Sequence, residues 1–249
     1  MITLWPLPVI AIGLCTLSVP AVAQHGLSPK ESVVLEALGS QERQVFAADG
    51  ISILGRFLNV VHTTAPEAAR TYSENEVAGD KRLYRKNVLL SGTIAAINSG
   101  IGNSPYLVFV APSALQVQAH LVSESIDRAA TLKKGQRLTL FCQGAGALAG
   151  SPVFRDCLFA DDAANEKWSE LTTQIERYRK GSPDAPSVVQ QLAIAVSAIA
   201  TGLPADSCDV ADKNCRAAVS KVMHSSQFST LMRQAAEQFK LSGLSVPSL

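Results

Sequence analysis

The stretch FCQGAGALAGSPVFRDC, residues 141–157, holds three glycines between two cysteines. Two kinds of chemistry are open to it. Gly144, Gly146 and Gly150 could cradle a phosphate, and Cys142 and Cys157 could be a redox pair. The glycine fingerprint of dinucleotide sites needs its third glycine at position 149, which is Ala149, with a helix directly after it. Ser151-Pro152 and the β-rich VFRDCLF follow instead. No helix N-terminus is expected there to aim N–H groups at an anion. The glycines read as φ > 0, low-bulk positions near the tip of a hairpin. The cysteines form no C-x-x-C, and no cation cluster adjoins them to lower a thiol pKa. They read as a structural staple.

Other side chains capable of chemistry are scattered. His25, His62, His120 and His224 form no H-E-x-x-H, and none sits in a cysteine cluster with zinc spacing. His224 suits a helix end, where a partly positive imidazole meets the dipole. There is no G-x-S-x-G and no S-x-x-K. Asp161-Asp162 could be paired carboxylates for acid–base work, but they follow a strand and precede a helix, so they read as capping or solvated groups. The expectation is a non-enzyme with no catalytic residue, no metal and no cofactor. Basic residues gather at Lys81-Arg82-Arg85-Lys86 and Lys133-Lys134-Arg137. Single-strand binders interleave such charge with stacking aromatics. Aromatics are 6% of this chain and the net charge is +1, too neutral for an electrostatic grip on nucleic acid or an anionic membrane.

These groups need elements to position them. SPKESVVLEAL (28–38) predicts a helix capped by Ser28, with Pro29 in its first turn and Gly39 at its end. Residues 51–63 have apolar residues at helical spacing. Thr64 caps a further helix whose buried stripe would be Ala69, Tyr72 and Val77. From Asn87 the pattern turns β-rich. Strands are predicted over 87–97, 106–111, 115–122, 137–144 and 152–160, with a helix over 125–132 between the third and fourth. In the third, Leu115, Val117, Ala119 and Leu121 share one face, and Gln116, Gln118 and His120 the other. That order matches an OB-fold, a five-stranded Greek-key barrel. After Ala160 come helices near 165–180, 187–201, 210–224 and 226–240, with Trp168, Leu171, Ile175 and Tyr178 as the stripe of the first.

The beginning and the cysteines speak to compartment. Residues 1–23 carry no charge and end in Ala21-Val22-Ala23, which reads as a secretory signal cut after Ala23. An uncleaved anchor is the other reading of a run this apolar. Beyond it, 188–203 is broken by Gln190 and Gln191 and reads as a buried helix rather than a span. Cys142, Cys157, Cys208 and Cys215 remain, an even set that implies disulfides outside the cytoplasm. Sequence order suggests 142–157 and 208–215, one of three connectivities. On one continuous helix, positions 208 and 215 would lie about 10.5 Å apart, beyond disulfide reach. Cys208 must therefore precede the helix if that bond exists. Charged residues are 17% and apolar residues 47%, a core-forming globular chain.

YSENEVAGDKRLYRKNVLLSGTIAAI, then SPYLVFV, LKKGQRLTLFCQGAG and FRDCLF, resembles the tRNA_anti-like family over about residues 66–160. The resemblance implies an exported OB-fold domain, and it carries no shared catalytic motif. The expected architecture is α+β: a signal peptide (1–23), an N-terminal helical segment (24–85), a five-stranded OB-fold β-barrel (86–160) and a helical C-terminal region (161–249). The expected function is a non-catalytic binding module of the bacterial envelope, periplasmic or secreted. Its partner would be an envelope protein, with a secretion or conjugation component as one form. A ligand on the OB face would meet Tyr106, Gln116, Gln118 and His120. The alternatives are an oligonucleotide- or oligosaccharide-binding domain, and an envelope enzyme with an unrecognised site.

Overall fold

The computed structural model describes residues 26–112 and 115–248, apart from the side chain of Ile101. The expected signal segment and His25 lie outside them. Six strands form in chain order: β1 (Val61–Thr64), β2 (Asn87–Ser99), β3 (Pro105–Phe109), β4 (Val117–Leu121), β5 (Arg137–Leu148) and β6 (Ser151–Phe159). The sheet runs β1-β2-β3-β4-β6-β5, and a β2–β5 pairing closes the last five into a barrel. β4 and β6 are parallel; the other barrel pairs are antiparallel. This is the expected OB-fold, with the long β2 pairing β5 along its first half and β3 along its second.

β1 is an addition, laid parallel along the start of β2. It replaces the second half of the helix expected over 51–63. Only a short helix, Ile53–Phe57, forms there, capped by Ser52. Asn59 takes φ 50°, and the β-branched Val60, Val61, Thr63 and Thr64 then favour extended chain. Thr64 caps the next helix, Ala65–Glu74, as expected. That helix does not reach Val77. Asn75 ends it and caps another, Glu76–Leu83, through its own side chain. The two helices diverge, so Ala69 and Tyr72 are buried while Val77 is 78% exposed.

A long helix, Pro29–Ala47, opens the described chain, and four more close it: Ala160–Arg179, Ser187–Gly202, Lys213–Met223 and Phe228–Leu241. With the three short helices named above and Ile126–Ala130 after β4, we number them α1–α9 in chain order. Gly39 does not end α1. It lies mid-helix, where the indole of Trp168 on α6 occupies the space a Cβ would take. α1 therefore joins the C-terminal helices, sharing one core with Trp168, Leu171, Ile175, Leu192 and Phe239. A buried ion pair fixes its start. Arg179 at the end of α6 reaches Glu31 at 3.0 and 3.1 Å and lies over the Phe239 ring. Burial pushes the Glu31 carboxyl up, but the Ser28 N–H and Arg179 outweigh it and hold it below the usual range. The barrel interior is a second core of Val88, Leu90, Leu107, Phe109, Leu140 and Phe154, closed at one end by Ala68, Ala69 and Tyr72 of α3.

The glycine-rich segment is a β5–β6 hairpin. Its turn is Ala149-Gly150, both at positive φ, the pattern that matches strand twist in two-residue turns. Gly144 is not at the tip. It sits within β5, where Leu83 O lies in the place of a Cβ and Arg85 N–H donates to Gly144 O at 2.8 Å. Cys142–Cys157 staples the hairpin, and Cys208–Cys215 joins the loop before α8 to its first turn. Cys208 precedes the helix, at φ 66°, as reach demands. Among the described residues no helix is long and apolar enough to cross a membrane.

Two substitutions test this packing. Gly144→Ala drives a methyl into backbone that no side-chain rotation can relieve, and should cost about 3 kcal/mol or more, read as a lower urea midpoint with unchanged slope. Glu31→Ala leaves Arg179 buried without its carboxylate, and should cost about 3 kcal/mol in the same assay.

Candidate functional site

The outer face of β3 and β4 carries the expected ligand residues. Alternation along β4 sends Val117, Ala119 and Leu121 into the barrel and turns Gln118 and His120 outward. Tyr106 on β3 is directly opposite His120. Their rings stack, with centroids 5.2 Å apart and planes 17° from parallel. Asn98 of β2 flanks Tyr106 on the other side, and Val108 lies opposite Gln118. Gln116 stands just before the strand, exposed, its backbone N–H on the Ser151 hydroxyl at 3.3 Å. Tyr106, Gln118 and His120 thus form one half-buried surface, and Gln116 borders it.

The surface continues onto β6 through a bulge. Ala119 pairs Phe154 and Leu121 pairs Cys157, so Arg155 and Asp156 both face His120 alone. Asp156 takes φ 51° to make room. A bulge bends the strand and re-aims its side chains; here both charged residues are exposed. Arg155 donates to Gln143 Oε1 of β5 at 3.1 and 2.6 Å. A polar stripe therefore crosses the barrel through Asn98, Tyr106, His120, Arg155 and Gln143. Sequence reasoning missed Arg155 and Gln143. The signal was there: Phe154 and Cys157 are both inward residues three apart, a spacing that a regular strand of period two forbids.

Other candidates are placed elsewhere. Asp161 and Asp162 lie in the first turn of α6, both bonded to Arg128 of α5, at 2.8 and 2.7 Å. Arg128 also lies 3.9 Å over the Phe159 ring. Burial pushes the Asp161 carboxyl up, but Arg128 outweighs it and holds it below its ordinary 3.8. This is a latch where strand meets helix, and Asp161 has the wrong shift for a general acid. Arg82 pairs Glu67 at 2.8 Å, and Arg85 lies over the ring of Tyr84. His224 ends α8, its Nδ1 2.7 Å from Ser220 O.

One cluster had no sequence signal. Asp49, at φ 62° after α1, meets His62 Nδ1 of β1 at 2.7 Å and accepts from the Ser91 hydroxyl of β2 at 3.1 Å. Asp–His is the orienting half of a catalytic triad. Ser91 touches the aspartate and not the imidazole, so no nucleophile–base contact forms. The cluster ties the end of α1 to the β1–β2 ladder.

The latch makes a pH-dependent contribution. Because the folded Asp161 carboxyl is held low, its stabilisation is present above its unfolded value and is lost as pH falls through the folded one. Asp161→Asn should lower unfolding free energy by about 0.5–1 kcal/mol near neutrality. That difference should vanish in urea titrations repeated at increasingly acid pH.

Comparison with known proteins bears on the barrel. The tRNA_anti-like family model matches residues 9–158, reaching further towards the N-terminus than the motifs indicate. Among solved structures, a candidate nucleic acid-binding lipoprotein of Klebsiella pneumoniae subsp. pneumoniae matches 42% of this chain and 94% of its own. It shows 15% identity and a TM-score of 0.35. A candidate aspartyl-tRNA synthetase of Leishmania major Friedlin matches 40% of this chain and 20% of its own, with 13% identity and a TM-score of 0.29. No curated protein matches. The two disulfides fit a protein that folds in an oxidising compartment. With a closed OB barrel, a stapled β5–β6 hairpin and a family model that spans more than half its length, the chain belongs to the tRNA_anti-like family.

Proposed function

We propose that this protein is a non-catalytic binding module of the bacterial cell envelope, with its ligand face on the outer side of β3, β4 and β6. The observation that carries the reading is the stacked Tyr106–His120 pair. Two rings stacked against each other on rigid strands offer contact area at little entropic cost, and tyrosine is among the side chains that dominate interface energies. Gln118 beside them and Arg155 in the bulge supply amide and cationic donors around an aromatic centre. Disulfides support a periplasmic or secreted location, reached through a signal segment cut after Ala23.

The occupant favoured is an envelope protein, for which a secretion or conjugation component is a suitable class. A second reading has its own support. Stacked aromatic rings with flanking amides also suit the planar face of a nucleobase or a sugar, and the OB-fold uses this region for such ligands. The near-neutral chain gives that reading little electrostatic help.

The test is affinity capture of the mature protein's partner from periplasmic extract, followed by titration with the purified partner. Tyr106→Ala and His120→Ala should each weaken it about 10- to 30-fold. The same stripe should not retard single-stranded DNA or envelope glycan at low salt. Retardation lost in Tyr106→Ala would decide for the second reading, and a partner indifferent to both substitutions would remove the face from consideration.

A further inference from the structure

The helical region holds a groove away from the barrel stripe. It lies between the short α2, α7 and α9, with the end of α8 at its rim, and has a volume of about 600 Å³. That is within the range of small-ligand sites. Its walls are mainly Ile53, Val188, Leu192, Phe228 and Met232, with Met223 at the edge. Two methionines and a phenylalanine make a polarisable surface that adapts to a flexible chain.

The polar part of the lining has one sign. Arg56 and Arg233 are its charged residues, and it contains no carboxylate. Arg233 is exposed and donates to the Thr230 hydroxyl at 3.3 Å. Arg56 is exposed too, and forms no ion pair among the described residues. Glu42, whose charge Arg56 feels, has its carboxylate on the Ile53 N–H at 2.6 Å. Arg56 also lines a second cavity, of about 310 Å³, with Asn59 and His62. An apolar trough thus carries two guanidiniums, one of which borders a further polar recess.

From this charge complementarity we infer that the groove binds a single-chain anionic amphiphile, its alkyl chain between α7 and α9 and its carboxylate or phosphate head on Arg56 and Arg233. Guanidinium suits both head groups, since its planar fork matches either in bidentate fashion. The size argues against a protein as occupant: stable protein interfaces cover about 800 Å² on each partner, whereas this trough has the volume of small-molecule sites.

The test is calorimetric titration of the purified protein with dodecanoate and dodecyl phosphate, each below its micelle concentration. Saturable binding near one per chain is expected. Dodecyltrimethylammonium, with the same chain and opposite charge, should bind at least tenfold more weakly. The double variant R56Q/R233Q should lose at least tenfold in affinity for the anions. Ala195→Phe, which fills the groove and leaves both arginines, should lose binding as well, with circular dichroism melts checking that each variant folds. Equal affinity for the anionic and cationic chains would overturn the proposal, as would anion binding unchanged in R56Q/R233Q. A third arm separates sources. Sedimentation with phosphatidylglycerol vesicles but no uptake of monomeric dodecanoate would make this a membrane-surface contact and overturn it. Binding of an acidic amphipathic peptide, without dodecanoate, would overturn it in favour of a protein partner.

Discussion

β2 and β5 are buried on both faces where Val88–Leu90 pair with Leu140–Cys142, and the two halves of the molecule are built around that fact. Val88, Leu90, Leu140 and Cys142 enter the barrel interior, while Leu89 and Phe141, between them, enter the helical core. Phe141 meets the ring of Phe46 on α1 at 5.9 Å. Strand side chains alternate between faces, so the unbroken apolar runs 88–90 and 140–142 supply both cores at once. A slip of one residue would exchange the two sets, mispack both cores and turn Cys142 away from Cys157. The register of this pair is therefore set twice, and the helices cannot leave the barrel without uncovering it.

The junction of β6 and α6 makes the coupling tighter. β6 ends at Phe159 and α6 begins at Ala160, with no loop between. Arg128 binds across that corner, touching a ring on one side and two carboxylates on the other. The same strand carries the bulge beside His120 and one half of the hairpin staple. One nine-residue strand thus aims the polar stripe, closes the barrel and fixes the direction of the first bundle helix.

The barrel was largely legible in the sequence, and physics explains which parts were not. The alternation in residues 117–121 and the β-rich runs gave every barrel strand, and parity put Gln118 and His120 on one face; that Tyr106 lies opposite His120 depends on the β3–β4 register. β1 was missed because Val60 and Val61 complete an apolar run whose spacing also suits a helix, and period cannot separate the two over so short a run. Gly39 carries the same letter whether it ends a helix or admits an indole, and only Trp168, far along the chain, distinguishes them. Asp49, His62 and Ser91 meet through the packing of three elements, which no local pattern encodes. The bulge at Arg155–Asp156 was legible in principle, since two inward residues three apart had already broken the alternation.

The place of α1 among the last helices has a consequence for how the chain comes to be folded. Glu31 and Arg179 are 148 residues apart, so α1 is made long before its partners. Loop closure over such a distance precedes any reward from contact. The barrel, whose strands are near neighbours in sequence, can assemble while α1 still exposes Val34, Leu38 and Phe46. Until the C-terminus has emerged, that apolar stripe is an adhesive surface open to other chains. Protection of the nascent chain by a holdase would matter most for this helix.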